Sequence, residues 1–143
     1  MDFNDTPEEA AYRAKARAWL DTNAKLRDPD ASARGMLGEG DSPEVIAEAK
    51  AWQATKAAAG WACLRWPKEY GGQEATAIQS VIFNQEQARF ETPPDIYGIG
   101  HGMLGPTIMA HGTEEQKKRF LPKMVEGSEV WCCLLYTSDA ADE

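Results

Sequence analysis

Cysteine is scarce and odd in number. Only Cys63, Cys132 and Cys133 occur in 143 residues, and no C-x-x-C is present, so neither a zinc ribbon nor a disulfide framework is supported. A reduced, cytoplasmic setting is the expectation that fits this usage. Long hydrophobic runs are missing too: hydrophobic residues make up 43% and mean hydropathy is -0.53. No apolar run approaches the roughly 18 residues that crossing a bilayer requires, so no membrane span is expected. The opening Met1-Asp2-Phe3-Asn4-Asp5 is acidic and lacks a basic stretch followed by an apolar one, which speaks against a secretory signal. Positive charge is in deficit, with 15 basic against 23 acidic residues and a net charge of -8. That balance argues against a nucleic-acid surface. The densest basic cluster, Lys117-Lys118-Arg119, reads as a solvated helix face. Internal repeats, low-complexity tracts and, before Glu129, convincing period-two alternation are also absent.

What remains is helical punctuation. Thr6, Pro7 and Glu9 form a start signal: threonine caps, proline occupies the first turn, and glutamate completes a capping box. Tyr12, Ala16, Trp19 and Leu20 then recur on one face until the pattern fades between Asn23 and Leu26. Arg27 to Asp41 reads as a loop. Ser42-Pro43 opens a second helix that ends at Gly60, with Ile46, Ala49 and Gln53 leaving its buried face undecided. An aromatic loop from Gly60 to Gly72 follows. The third helix, Ala75 to Phe90, carries Ile78, Val81, Ile82 and Gln85 on one side and stops at Pro93-Pro94.

Asp95 to His111 is apolar yet contains Gly98, Gly100, Gly102 and Gly105. Each glycine lowers helix propensity by about 1 kcal/mol relative to alanine, so a helix here needs packing to hold it or a reason for close backbone approach. Thr113 and Gln116 start the last helix, whose apolar face is Phe120, Leu121, Met124 and Val125. Pro122 is expected to kink or break it, and Gly127 to close it. The expected fold is all-α: an antiparallel bundle of about five helices.

Chemistry is sparse by the same reading. His101 and His111 lack the neighbours of a metal site or a triad, and no metal ligand set is expected. Glu86 and Arg89 stand three apart on one helix and suggest a surface or interhelical ion pair. No G-x-G-x-x-G or P-loop occurs. The five tryptophans are assigned to core and loop packing.

Several blocks, taken in order, resemble the amino-terminal helical domain of the acyl-CoA dehydrogenases. They are Met1-Asp2-Phe3 with Thr6-Pro7-Glu8-Glu9 and Arg17-Ala18-Trp19-Leu20; Gly60-Trp61 and Trp66-Pro67-Lys68-Glu69-Tyr70-Gly71-Gly72; and Glu86-Gln87-Ala88-Arg89 with Pro93-Pro94. The strongest is Gly105-Pro106-Thr107-Ile108, Gly112-Thr113-Glu114-Glu115-Gln116-Lys117, Leu121-Pro122, Gly127 and Trp131-Cys132. The resemblance covers residues 1–132. It implies an enzyme in which FAD takes a hydride from the β-carbon of an acyl-CoA thioester while a carboxylate removes the α-proton. The product is a trans-2-enoyl-CoA, and electrons pass to an electron-transfer flavoprotein. An acyl-CoA oxidase or flavin monooxygenase on the same scaffold, and a stand-alone helical interaction module, are the alternatives.

The family's chain has three parts: this helical domain, a β-domain and a carboxy-terminal helical bundle that builds most of a usual homo-tetramer. The catalytic carboxylate belongs to the third part. The resemblance therefore implies a truncated chain that is inactive alone and carries no catalytic residue of its own. Trp131 and Cys132 lead towards the flavin-facing strand and are the expected cofactor-binding positions. The acyl chain would run between the helix around 75–90 and the segment 95–111, with Gly98, Ile99, Gly102 and Met103 near the far end of its pocket. Tight helix–helix packing is the other reading of the two glycines. Residues 133–143 depart abruptly from the resemblance. They are expected to be non-native, a translated sequencing-library adaptor, or else a divergent strand using Leu134, Leu135 and Tyr136. On the first reading, Asp139, Asp142 and Glu143 contribute three of the negative charges artificially.

Overall fold

A computed structural model describes residues 4–28 and 42–132. The tail read as non-native, the first three residues and most of the loop after Asp28 lie outside the described residues. Five α-helices make up most of what is described. The first, α1 (Pro7–Asn23), starts as its sequence dictates: Thr6 Oγ1 accepts the Glu9 N–H while the Glu9 carboxylate accepts the Thr6 N–H at 2.7 Å. Two of the N–H groups that a helix start leaves unpaired are thus satisfied. Ala16 and Leu20 are fully buried, with Tyr12 and Trp19 packed beside them.

One element departs from the all-helical expectation. Lys25–Leu26 (β1) pairs antiparallel with Phe90–Glu91 (β2), Leu26 opposite Phe90, and the Arg27 N–H extends the ladder to Arg89 O at 2.9 Å. Two-residue strands contain too few positions to show alternation, so the sequence pattern carries no trace of them.

The second helix, α2 (Pro43–Ala58), begins where Ser42 Oγ accepts the Val45 N–H, and Gly60 in the left-handed region (φ 76°) turns the chain away from it. Its inward face is Ala49 and Gln53. The third, α3 (Ala77–Gln87), starts later than its apolar pattern suggests, because Thr76 and Gln79 form a reciprocal cap. Its buried face is also rotated from the expected one: Ile82, Phe83 and Glu86 point inward, while Ile78 and Val81 are 48% and 47% exposed. The reason is the charge on α1, which draws Glu86 into the α1–α3 seam and turns the helix with it. The helix ends at Gln87, ahead of Pro93-Pro94, because β2 needs its backbone groups for the strand pair.

The glycine-rich segment is helical from Gly98 onward, with one wide turn. Gly100–Leu104 forms a π-turn in which the Gly105 N–H bonds to Gly100 O, and α4 (Gly105–His111) continues from it. The last helix, α5 (Glu114–Glu126), is capped by Thr113 and Gln116 and closed by Gly127 at φ 79°. Pro122 does not break it. The proline is exposed, so the missing N–H falls on the solvent side and flanking turns hold the helix. Substituting Thr113 with alanine should cost about 1 kcal/mol, measured by urea unfolding, because the Gln116 N–H loses its acceptor.

The aromatic loop is the keel of the fold. Trp61 and Leu64 enter a cluster with Leu20, Phe83 and Phe90, whereas Cys63 and Trp66 enter a second with Leu121, Met124 and Val125. Trp61 stacks on Phe83 at 4.9 Å between ring centres. The assignment of tryptophan to packing holds for both loop residues, which are nearly fully buried. Main-chain bonds from Gln73 and Ala75 to Leu64 O, and from Glu74 to Trp66 O, clamp the loop against its exit.

Candidate functional site

The segment that carries four of the expected site residues is fastened to the end of α5. The last carbonyls of a helix have no partners within it. Here three side chains from elsewhere supply them. His101 Nε2 lies 2.8 Å from Met124 O, Gln53 Nε2 donates to Val125 O at 2.8 Å, and the Tyr97 hydroxyl donates to Gly127 O at 2.8 Å. A carbonyl only accepts, so His101 carries its proton on Nε2 in this contact. Burial also holds the His101 pKa below its usual value, which favours the neutral ring. The Tyr97 ring stacks on it at 5.4 Å, and Trp66 donates its indole N–H to His101 O at 3.0 Å.

One glycine in this segment is required by packing: a Cβ at Gly105 would lie 2.1 Å from the Trp66 ring, whereas one at Gly100, which is buried, would make only ordinary contact with Trp131 at 3.5 Å. Gly98 and Gly102 are different. A Cβ at Gly98 would find only Asp95 Oδ2 at 4.0 Å, and one at Gly102 would find nothing within 4 Å. Close packing therefore does not explain Gly102. Ile99 and Met103 beside it are 39% and 62% exposed. Gly98, Ile99, Gly102 and Met103 thus lie on the outward side of the wide turn, opposite the bonds that fix it to α5. Trp131 is half-buried, its ring edge-on to Phe120 at 5.2 Å, and its indole N–H has no partner among the described residues. Cys132, next to it, is exposed.

A cavity of about 310 Å³ lies between α2, the aromatic loop, α3 and residues 92–101, with Trp52, Gln53, Lys56, Phe83 and Gln87 among its walls. None of the six expected site residues lines it. Sequence reasoning missed it, and missed the anchoring roles of Gln53 and Tyr97. The available signal was a glutamine, Gln53, at helical spacing from Ala49, where an apolar residue would suffice for packing alone.

The expected Glu86–Arg89 pair forms, at 3.2 Å, but Glu86 is buried and belongs to a larger cluster. Arg17 from α1 grips both carboxylate oxygens, at 2.8 and 3.0 Å, and Arg13 adds a third bond at 3.0 Å. Hydrogen bonds from Arg17 and then Arg13 and Arg89 hold the Glu86 pKa down at about 2. The cluster locks α3 to α1 and touches no open site. Cys63 is buried and its thiol is pushed up to about 12 by desolvation, so it is no nucleophile at neutral pH. Among the described residues no three His, Cys, Asp or Glu side chains come together as a metal site, and no helix is long and apolar enough to cross a membrane.

Residues 6–128 match the acyl-CoA dehydrogenase amino-terminal domain family. An acyl-CoA dehydrogenase, IpdE1, from Mycolicibacterium smegmatis is 41% identical over 125 residues, which is 87% of this chain and 31% of that protein. The ChsE4–ChsE5 complex from Mycobacterium tuberculosis superimposes with a TM-score of 0.61 at 34% identity, over 89% of this chain and 30% of that one. A further solved relative, described as the Tcur3481–Tcur3483 steroid ACAD, gives a TM-score of 0.61 at 26% identity over 91% of this chain and 32% of its own. The chain spans about a third of the length of the relatives it matches.

Proposed function

The chain belongs to the acyl-CoA dehydrogenase family, as its amino-terminal domain, and from that premise we propose that it is part of an FAD-dependent enzyme that desaturates an acyl-CoA thioester between the α and β carbons. The observation that carries this reading is the family match over residues 6–128, joined to an open apolar turn where the sequence resemblance puts the acyl tail. By that resemblance the catalytic carboxylate and most flavin contacts belong to parts of the family's chain that follow the domain described here, and the 143-residue chain alone is inactive.

The residues present fit FAD at one margin. Trp131 offers a buried indole N–H without a partner, a donor that an acceptor atom of the cofactor would satisfy, and Cys132 stands exposed beside it. When bound, FAD supplies the hydride acceptor. The domain's own contribution is to shape the tail site. Ile99 and Met103 give apolar contact, and Gly102 leaves the space between them free. The bonds from His101 and Tyr97 to α5 hold that turn in place, so the space is preorganised. Exposed Ile78 and Val81 on α3 would be covered by the remaining domains. A ring-bearing, branched or long acyl group suits an unfilled space of this kind better than a very short one, and one solved relative is described as a steroid enzyme. In this reading electron-transfer flavoprotein accepts the electrons, and the parent assembles as a tetramer or with a related chain.

The test begins with genomic DNA past codon 132. A reading frame continuing into a β-domain and helical bundle is expected, with residues 133–143 replaced by native sequence. The full-length protein should then bind FAD and bleach its absorbance on addition of acyl-CoA. Gly102→Leu should shift preference towards shorter thioesters, losing roughly 1–3 kcal/mol for each displaced group. A locus that stops at this point would defeat the parent assignment. Rapid reoxidation of the reduced flavin by oxygen would replace the dehydrogenase with an oxidase. An unchanged chain-length profile in folded Gly102→Leu would remove the tail site.

A further inference from the structure

The exit from α5 is fixed on both sides of one residue. Gly127 sits in the left-handed region, at φ 79°, where it turns the chain into residues 128–132. Its N–H is tied back to Lys123 O at 3.1 Å, and its carbonyl accepts the Tyr97 hydroxyl at 2.8 Å. With the groups on both sides of its Cα held, neither of its two soft dihedrals is free, so the direction of the exit is set. His101 and Gln53 bond to carbonyls inside α5, whereas Tyr97 alone of the three reaches past the helix end. The seat is tight: a Cβ on Gly127 would stand 2.8 Å from the Tyr97 hydroxyl and 2.5 Å from Gln53 Cγ. Tyr97 is buried, and desolvation raises its pKa, so the hydroxyl keeps its proton and donates. Tyr97 also opens the segment that carries the wide turn: its N–H bonds to Asp95 Oδ1 at 2.9 Å and its carbonyl accepts the His101 N–H at 2.8 Å. Gly100 in that turn faces Trp131, and α5 holds the other side of the exit through Glu129, paired with Arg119 and Lys123, and through Phe120 against Trp131. One hydroxyl thus joins the wide turn to the segment that leads to Trp131.

We propose that Tyr97 is a positioning residue for the desaturation, one that fixes the tail position around Gly102 relative to the flavin-side segment at Trp131. The proposal rests on the desaturation reading above. A tail seated on the wide turn places the reacting carbons by its own length, so the turn and the flavin-side segment must keep one spacing. Without the hydroxyl, the buried Gly127 carbonyl loses its partner and turns to find another, and the exit turns with it. The tail keeps its contacts with Ile99 and Met103, and what changes is where the reacting carbons stand. Misplacement of this kind lowers turnover and leaves binding alone. A short acyl group that ends before the turn is placed by its thioester end and does not feel the change.

Tyr97→Phe keeps the ring and its stack on His101 and removes only the hydroxyl. In the 143-residue chain, with no cofactor added, amide exchange followed by NMR should quicken about tenfold at Gly127 and Glu129, whose N–H groups bond to Lys123 O, while α1 is unchanged. In the full-length parent, turnover per bound flavin should fall about tenfold for the longest acyl-CoA that the wild type accepts, with KM within about twofold. For the shortest accepted acyl-CoA, turnover should stay within about twofold. Thr113→Ala, which weakens α5 at its opposite end, should leave the ratio of long to short unchanged. Equal loss for both lengths, a rise in KM alone, the same shift in Thr113→Ala, or exchange at Gly127 and Glu129 that quickens no more than in α1 would each overturn the proposal while the desaturation reading stands. A wild-type parent that binds no flavin, or whose flavin bleaches with no acyl-CoA, would overturn both.

Discussion

Replacing Glu86 with glutamine should cost the fold about 2–3 kcal/mol and lower Tm by roughly 6–10 °C. Its carboxylate is 3% exposed and is held by Arg13, Arg17 and Arg89. Glutamine keeps the shape but removes the charge, and its amide nitrogen would face guanidinium donors with nothing to accept from it. Arg17 and Arg89 would lose their shared carboxylate, while Arg13 would keep Asp5 as a partner.

The same cluster predicts a pH dependence with a definite sign. The Glu86 pKa is lowered from about 4.5 to about 2 on folding. Its contribution is therefore fully present above about pH 4.5 and is lost progressively as pH falls from there towards 2. Asp5 and Glu129, both also lowered by arginine or lysine partners, add slope in the same direction. The informative quantity is the difference between wild type and Glu86→Gln, measured by urea unfolding from pH 7 downward. The two curves should converge in acid. A constant gap at every pH would mean that the loss comes from packing and not from charge.

Gly72→Ala should be comparably severe, for a different reason. A Cβ there would stand 1.9 Å from Trp66 O and 2.3 Å from its carbonyl carbon. The obstacle is main chain, which no rotamer change can clear. The loop would have to open, breaking the bonds from Gly72 N to Pro67 O and from Glu74 N to Trp66 O. Trp66 would move with it, loosening its seat on Gly105 and its bond to His101 O. A loss of about 3 kcal/mol is expected, at the upper end for overpacking. Gly102→Ala is the control. With nothing within 4 Å of its Cβ and no positive φ, alanine there should not destabilise the wide turn and should raise stability by up to about 1 kcal/mol through helix propensity. Similar thermal unfolding of the two variants, followed by tryptophan fluorescence, would contradict this account of the loop.

Much of this architecture was legible before any coordinates. Caps were the best signal, because Thr6, Ser42 and Thr113 act through bonds to residues three positions away, and that distance is written in the chain. The face of α3 is legible only in part: Ile82 is buried as its pattern suggests. Its apolar stripe suggested Ile78 and Val81, but the decision belonged to Arg13 and Arg17, some seventy residues earlier. Pro122 does not break α5, because a local rule about backbone bonds says nothing of the packing that holds the rest of the helix. For the candidate sites, Gly102 and Met103 are positions that only the resemblance proposes, whereas the Gln53 anchor and the cavity arise from contacts across the whole fold. No local pattern encodes that the amide oxygens of Gln53 and Gln87 are buried without partners among the described residues.

The wide turn at Gly100–Leu104 has a consequence for how this chain lines up with others. A π-turn spends one residue more than an α-turn before the backbone bond closes, as the Gly105 N–H to Gly100 O bond records. Removing a single residue from the turn would let an ordinary α-helix run through without reversing the faces on either side. Gly105 would still meet Trp66, and Tyr97 would still reach Gly127. A one-residue gap at this point in an alignment would therefore mark a change in the bulge alone, altering the outward contour around Gly102 while the anchored side keeps its register.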